Sequence, residues 1–301
     1  MPDIAASILA KLKNKAEKSG KSYNLCMQLF CQEEFLRRVE KSKYAENLVL
    51  KGGLFLYTLT HFDSRVTVDI DFLLKRIANT PERLRSMLEE IISVSTGNDF
   101  IEYEIKRVSP IAQTKKYSGI SASLVAKIKN TQTPFNIDFG VGDVIVPHQK
   151  KRTIPTQLPD FQEPSINTYS LETTVAEKLD AILWLMEFSS RMKDYYDLYY
   201  LANKFDFDGT ILAEALGKTF SNRNRSFTME GFNQIMTFDP KGEMQKKWLS
   251  FSKKINAEPI EFKTILKTIN VFLKEPLEAV FQKKSFCAHW SAHRGRWDSS
   301  I

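Results

Sequence analysis

The chain has 301 residues, of which 43% are hydrophobic and 26% are charged, a balance that excludes disordered and membrane-spanning proteins. No run of about 18 apolar residues is present, and the N-terminal residues lack the basic and apolar regions of a signal peptide. The formal net charge of +7 favours polyanionic partners, although an ordinary basic protein fits equally well. Cys26, Cys31 and Cys287 are odd in number and lack CxxC spacing, so we expect a cytoplasmic protein without a disulfide framework or a membrane partner.

The first half of the chain alternates between helical and extended hydrophobic patterns. Thr80-Pro81-Glu82 is typical of a helix start, with threonine as the N-cap and proline in the first turn. Gly52-Gly53 ends a short apolar run and opens a helix. The pattern predicts helices over 3–18, 24–41, 54–59 and 81–94, and strands over 47–50, 66–74, 101–108, 117–129 and 135–141.

A proline-rich stretch, residues 147–168, follows and predicts a connector between two domains. Beyond it only helical periodicity remains, up to a polar, tryptophan-containing tail from Lys283 that we leave unassigned. We therefore expect a mixed α+β core over residues 1–150 and an all-helical C-terminal domain over residues 165–301. The predicted C-terminal helices cover residues 171–188, 193–201, 209–220, 228–236, 243–255 and 259–281.

Two aspartates in the strand predicted over 66–74 are the strongest local signal. Asp69 and Asp71 are two residues apart, so on a strand their side chains point to the same face. Paired carboxylates repel each other unless a cation lies between them, and Mg²⁺ binds a few carboxylates together with triphosphate oxygens. The upstream Lys51-Gly52-Gly53 turn lets backbone N–H groups approach phosphates at a helix N-terminus. A surface strand facing water is the alternative interpretation of a lone DxD.

Asp138 strengthens the metal interpretation. It stands alone among apolar residues in Phe135–Phe139, and a carboxylate there is costly to bury without a partner. Together with Asp69 and Asp71 it would give three carboxylates on adjacent strands, enough to hold two metal ions. Two such ions activate an attacking hydroxyl and stabilise a pyrophosphate leaving group, which is the chemistry of nucleotidyl transfer.

A second charged group lies in the helical half. Lys178 and Lys193 offer positive point charges for a triphosphate, and Arg191 offers a guanidinium fork. Asp194 and Asp197 share one helix face, and we favour Asp194 as the site residue because it adjoins Lys193. The alternative is a set of salt bridges that joins two helices.

The motifs together resemble the AbiEii/AbiGii toxin family over residues 20–280. The resemblance is carried by their order along the chain: Leu50–Gly53, Arg65–Phe72, Ile137–Asp143, Ala176–Ala181 and Arg191–Leu198, with Gln32–Arg38 and Ser170–Thr173 as supporting segments. It implies a polymerase-β-like nucleotidyltransferase core with a mixed sheet, followed by a helical C-terminal domain.

The resemblance also implies roles for individual residues. Lys51, Gly52 and Gly53 would lie beside the triphosphate, Asp69 and Asp71 would bind Mg²⁺, and Lys178 and Asp194 would complete the catalytic set. Asp138 has the position of the third carboxylate in related transferases. We add Arg65, Arg191 and Lys193 as residues expected to contact the nucleotide.

Three functions compete on this basis. The first is a Mg²⁺-dependent nucleotidyltransferase, the toxin of a toxin–antitoxin or abortive-infection system, which transfers nucleotides from NTP to RNA, with the tRNA acceptor end as the expected target and a cognate antitoxin as counterpart. The second is a non-catalytic nucleotide- or RNA-binding regulator that retains the fold. The third is a kinase-like use of the same site. The intact Lys51, Asp69 and Asp71 argue against a pure binder, which needs no paired carboxylates facing an anionic ligand.

Overall fold

A computed structural model describes residues 3–111, 119–186, 191–237, 239–255 and 260–299. Two compact units divide the chain. The first consists of Met1–Gly142 and Gln149–Tyr169, and the second of Asp143–His148 and Ser170–Ile301. The chain therefore passes from one unit to the other three times.

The first unit is a mixed α+β domain, as the sequence predicts. Its helices are α1 (Ile4–Ser19), α2 (Tyr23–Lys41), α3 (Gly52–Leu59) and α4 (Pro81–Ile92). Its strands are β1 (Leu48–Lys51), β2 (Ile70–Leu74), β3 (Glu102–Pro110), β4 (Ile120–Ile128), β5 (Thr131–Gly140), β6 (Lys150–Thr153) and β7 (Ser165–Thr168). Thr80 caps α4 through its side chain with Pro81 in the first turn, which confirms the predicted helix start.

All seven strands join one sheet in the order β3-β4-β5-β2-β1-β7-β6. The β2/β5 and β1/β7 pairs are parallel, and the other pairs are antiparallel. Two members of this sheet, β6 and β7, lie in the stretch that we predicted to be a connector. Their sequences are short and polar, and β7 becomes a strand because it pairs with β1, more than 100 residues away in sequence.

The strand predicted over residues 66–74 begins only at Ile70. Its partner β1 ends at Lys51, opposite Asp71, because the chain turns into α3 at Gly52. Residues 65–69 therefore have no β1 backbone beside them, and they run as an irregular segment. Asp69 consequently lies one residue before the strand, where it is exposed.

The second unit is mostly helical, with a small sheet that the sequence did not predict. The helices are α5 (Leu171–Leu185), α6 (Met192–Lys204), α7 (Gly209–Asn222), α8 (Met229–Met236), α9 (Glu243–Ile255) and α10 (Phe262–Gln282). The strands β8 (Phe207–Asp208), β9 (Ala288–Ser291) and β10 (Arg296–Ser299) pair in the order β10-β9-β8. Residues 117–118, 187–188 and 259 of the predicted elements lie outside the described part of the chain.

The C-terminal tail forms this sheet because its tryptophans are anchored. Trp290 is buried and its indole N–H donates to the carbonyl of Ala202 at 2.7 Å. The Trp297 indole donates to the carbonyl of Phe272 at 3.0 Å. The tail is thus part of the helical unit's core. Within the described residues, no helix has both the length and the apolar composition needed to cross a bilayer.

Helix α2 carries buried charges that fix two loops of the first unit. The Glu34 carboxylate accepts from Arg37 at 3.1 Å, from Arg38 at 3.3 Å and from Asn98 at 2.6 Å. The Glu33 carboxyl accepts the backbone N–H of Gln157 at 2.9 and 3.0 Å. Burial raises the pKa of Glu33 to about 8 from its ordinary value of 4.5.

This shift predicts a pH-dependent stability. Between about pH 4.5 and 8 the folded chain keeps the Glu33 proton that the unfolded chain releases, so the free energy of unfolding falls as the pH rises. The slope from this group is at most about 1.4 kcal/mol per pH unit. We expect Glu33→Gln to flatten the pH dependence, measured by urea unfolding at several pH values in this window. Glu17→Gln, an exposed change on α1, is the control and should leave the slope unchanged.

Candidate active site

A row of charged side chains crosses the middle of the seven-stranded sheet. Lys51 of β1 is the register partner of Asp71 of β2, and Asp71 is the register partner of Asp138 of β5. Partners in neighbouring strands lie side by side on one face, with their Cβ atoms about 5 Å apart. The sheet thereby brings together one lysine and two of the three predicted carboxylates.

The strand β5 presents Asp138 to this row because its residues alternate. Phe135, Ile137 and Phe139 are buried, whereas Asn136 is exposed and Asp138 is partly exposed. Asp138 therefore lies on the open face of the sheet and not in the hydrophobic core. Asp71 and Asp138 are adjacent carboxylates, and a cation between them would be attracted by both.

The glycine pair is required by close packing at the start of α3. Gly52 has a φ of +70°, and a Cβ atom at this residue would collide with the Asp71 carboxylate. A Cβ atom at Gly53 would lie 2.8 Å from Oγ1 of Thr67, in the irregular segment before β2. The N-cap residue of α3, Lys51, makes no capping hydrogen bond through its own side chain. The N–H groups in the first turn of a helix have no partner within the helix, and here this turn starts next to the Asp71 carboxylate.

The Lys51 ammonium is held in place by a residue that the sequence analysis missed. Lys51 Nζ donates to the Tyr169 hydroxyl at 3.3 Å and lies 5.2 Å from the centre of the tyrosine ring. A Cβ atom at Gly140 would be 3.5 Å from Nζ, so this glycine leaves room for the lysine. Tyr169 is buried and directly follows β7. No local pattern reveals this contact, because it joins residues 118 positions apart.

Asp69 and Arg65 lie in the irregular segment before β2, Asp69 exposed and Arg65 partly buried. Among the described residues, no group of three or more Asp, Glu, His or Cys side chains is close enough to hold a metal ion. Asp71 and Asp138 are register partners, and the role of Asp69 as a metal ligand stays a prediction. Two carboxylates still fit Mg²⁺, which commonly takes one or two carboxylates and completes its shell with phosphate oxygens and water.

The charged residues predicted in the helical half form a cluster inside the second unit. Lys178 Nζ contacts Asp194 Oδ1 at 3.3 Å and Asp197 Oδ2 at 2.5 Å. Arg191 Nε contacts the other Asp194 oxygen at 2.5 Å. Lys193 is exposed. The cluster joins α5 to α6, as expected if these residues form salt bridges between two helices. The catalytic roles of Lys178 and Asp194 stay predictions.

A second ion cluster of this unit was not foreseen. Arg223, at the end of α7, contacts Asp143 at 2.9 Å, Glu177 at 3.0 Å and Asp180 at 2.8 Å. Asp143 and Glu177 belong to the motifs quoted above, but Arg223 lies outside them. The segment Asp143–His148 is tied to the helical unit by this arginine and by the Val146 N–H, which donates to the Thr173 hydroxyl at 2.8 Å.

Comparisons with known proteins match this chain to a family. Residues 34–268 match the family model described as nucleotidyl transferase AbiEii toxin, type IV TA system. The crystal structure of JHP933 from Helicobacter pylori has the same fold, with a TM-score of 0.50 and 14% identity over 87% of this chain and 95% of that one. A provisionally described nucleotidyltransferase from H. pylori gives a TM-score of 0.48 and 13% identity over 88% of this chain and 100% of that one. No curated protein matches the chain.

The family match covers well over half of the 301 residues and includes the Asp71, Asp138, Lys178 and Asp194 positions. It confirms the resemblance stated from the motifs, and the shared fold agrees with the mixed sheet of the first unit. The chain belongs to the AbiEii family, the nucleotidyltransferase toxins of type IV toxin–antitoxin systems.

Proposed function

We propose that this nucleotidyltransferase uses Mg²⁺ and transfers nucleotides from NTP to RNA, with the tRNA acceptor end as its target. The observation that carries the proposal is the in-register row of Lys51, Asp71 and Asp138 beside the N-terminus of α3. The net charge of +7 supports a polyanionic acceptor. Membership in a toxin–antitoxin family also implies an antitoxin counterpart.

The residues of the row have different roles in the reaction. An RNA hydroxyl attacks the α-phosphorus of the NTP and releases its proton to solvent water. The bond from the α-phosphorus to the oxygen that bridges the α- and β-phosphates breaks, and pyrophosphate leaves. The Lys51 ammonium and the N–H groups of α3 stabilise negative charge on the triphosphate. Asp71 and Asp138 would hold Mg²⁺, with Asp69 proposed as a further ligand. When bound, the metal ion supplies positive charge that activates the hydroxyl and stabilises the leaving group.

A transfer assay with each α-³²P-labelled NTP, total RNA and a Mg²⁺ titration tests the proposal. We expect label in RNA, in the tRNA size class, only when Mg²⁺ is present. NTP binding without transfer would favour the non-catalytic regulator. A parallel assay uses γ-labelled NTP. Label retained on protein or RNA in that assay would indicate the kinase-like reaction instead.

Tyr169→Phe tests how Lys51 is positioned. The change removes the hydroxyl that accepts from Lys51 Nζ but keeps the ring, so the lysine stays near the site with one hydrogen bond fewer. We expect kcat/KM for NTP to fall about 3- to 10-fold, the value of one hydrogen bond. Steady-state kinetics at varied NTP concentration give the measurement.

A matched control is available in the same unit. The Tyr57 hydroxyl accepts from Lys21 Nζ at 2.9 Å, and the ammonium lies 5.2 Å from that ring, so the pair has the same chemistry without a site lysine. Tyr57→Phe should therefore leave kcat/KM unchanged. Equal losses in both variants would show that the Tyr169 effect is a general effect on the fold.

A further inference from the structure

The turn after α7 fixes the position of Arg225. Asn224 has a left-handed φ of 51°, a conformation that asparagine tolerates better than most residues. Its N–H donates to the Ser221 carbonyl at 3.0 Å, and the Arg225 N–H donates to the Phe220 carbonyl at 2.9 Å. These two bonds are those of a Schellman motif. With Arg223 held by three carboxylates, the turn is rigid where Arg225 leaves it.

Arg225 is stacked on a tryptophan of α5. Its guanidinium carbon lies 3.4 Å from the centre of the Trp184 ring, and its Nε lies 3.7 Å from Asp180. Trp184 is nevertheless 58% exposed, so more than half of the residue stays accessible to solvent although Arg225 stacks on its ring. Trp248 and Trp290 of the same unit are buried, which makes Trp184 unusual for its residue type.

The surroundings of the open ring suit a nucleobase better than an apolar side chain of a protein. Arg225, which stacks on the ring, and Asp180, which lies 3.7 Å from Arg225, are charged. Asn224, the residue before Arg225, is exposed, and its amide can donate and accept hydrogen bonds. A protein-binding centre would instead place an aromatic residue within a contiguous apolar patch. Single-stranded nucleic acids are bound by aromatic rings on which bases stack, with arginine contributing its charge and planar group.

We propose that Trp184 and Arg225 form a stacking platform for an unpaired nucleobase of single-stranded RNA. The inference rests on the proposed transfer to RNA, and it names a contact for the acceptor strand on the second unit. Arg225 pre-organises the ring from one side, and the base occupies the other side. The rigid turn limits the entropy that binding would otherwise cost.

Fluorescence anisotropy of a fluorescein-labelled single-stranded RNA 12-mer tests this binding, without NTP and without Mg²⁺. We expect Trp184→Ala to weaken binding roughly 5- to 150-fold, the range for loss of one base–aromatic stack. Trp184→Phe, which keeps a ring, should restore most of the affinity. Leu249→Ala is the matched control, because Leu249 is a 50% exposed apolar residue on α9 of the same unit. This variant should bind RNA with normal affinity.

Unchanged RNA affinity in Trp184→Ala would overturn the proposal. So would competition by free ATP or GTP at concentrations that saturate transfer, because the base on Trp184 would then belong to the nucleotide. Failure of the platform can be separated from failure of the proposed function. Asp71→Asn should still bind the 12-mer with normal affinity, and a wild-type chain that binds RNA through Trp184 but transfers nothing would refute only RNA-directed transfer.

Discussion

Asp71→Asn is expected to reduce nucleotidyl transfer on the order of 10³-fold or more, with the melting temperature nearly unchanged. Asp71 is the central member of the row, with Lys51 on one side and Asp138 on the other. Asparagine keeps the shape of the side chain but loses the charge that would hold Mg²⁺. The change also removes the repulsion between Asp71 and Asp138, so the stability of the fold should not decrease. Transfer of label from NTP to RNA and thermal unfolding provide the two measurements.

Asp99→Asn, an exposed change in the same unit, serves as the control and should transfer normally. Asp69→Ala tests the exposed aspartate before β2, which we also expect to be required for transfer, again with little change in melting temperature. Electron paramagnetic resonance of Mn²⁺ in the presence of a non-hydrolysable NTP would show whether the variant has lost metal binding. An Asp71→Asn chain that binds Mn²⁺ and transfers label like the wild type would refute the proposed site.

Arg223→Met is expected to destabilise the protein by about 3 kcal/mol. Methionine fills much of the same volume, but Asp143, Glu177 and Asp180 then lose the cation that they share. The side chain of Asp180 is only 4% exposed, so water cannot replace the lost partner there. The free energy of unfolding from urea titrations measures the effect.

Lys218→Met provides the comparison, since Lys218 pairs with Glu214 on the same helix but is 56% exposed. Exposed pairs contribute about 0–1 kcal/mol, so this variant should unfold close to the wild type. Adding Asp180→Asn to Arg223→Met should recover part of the loss, because it removes one of the three negative charges that Arg223 contacts. A loss below about 1 kcal/mol for Arg223→Met would show that the carboxylates are solvated without it.

Local sequence patterns predicted much of the first unit. The glycines after Lys51 marked the change from strand to helix, and alternation in β5 singled out Asp138. Both features depend on residues that are close in sequence, where backbone preference and side-chain period act directly. The helical character of the second unit followed from the same periodicity.

Features set by distant partners were not predictable. The strand β7 exists because β1 lies beside it, and Tyr169 is near Lys51 for the same reason. The late start of β2 at Ile70 depends on where β1 ends. The short strands of the C-terminal tail likewise depend on Trp290 reaching the carbonyl of Ala202. In each case a contact across the fold overrides a weak local preference.

The chain's three passages between the two units bear on how the gene can be divided. A fragment that ends near residue 150 would lack β7, the strand hydrogen-bonded to the one that carries Lys51. A fragment that begins at Ser170 would lack Asp143, a partner of Arg223. A fragment that ends at Tyr169 contains every residue of the first unit, but it also carries Asp143–His148, which belong to the second. A version split there for controlled reassembly would therefore need residues 143–148 to be supplied with the C-terminal fragment.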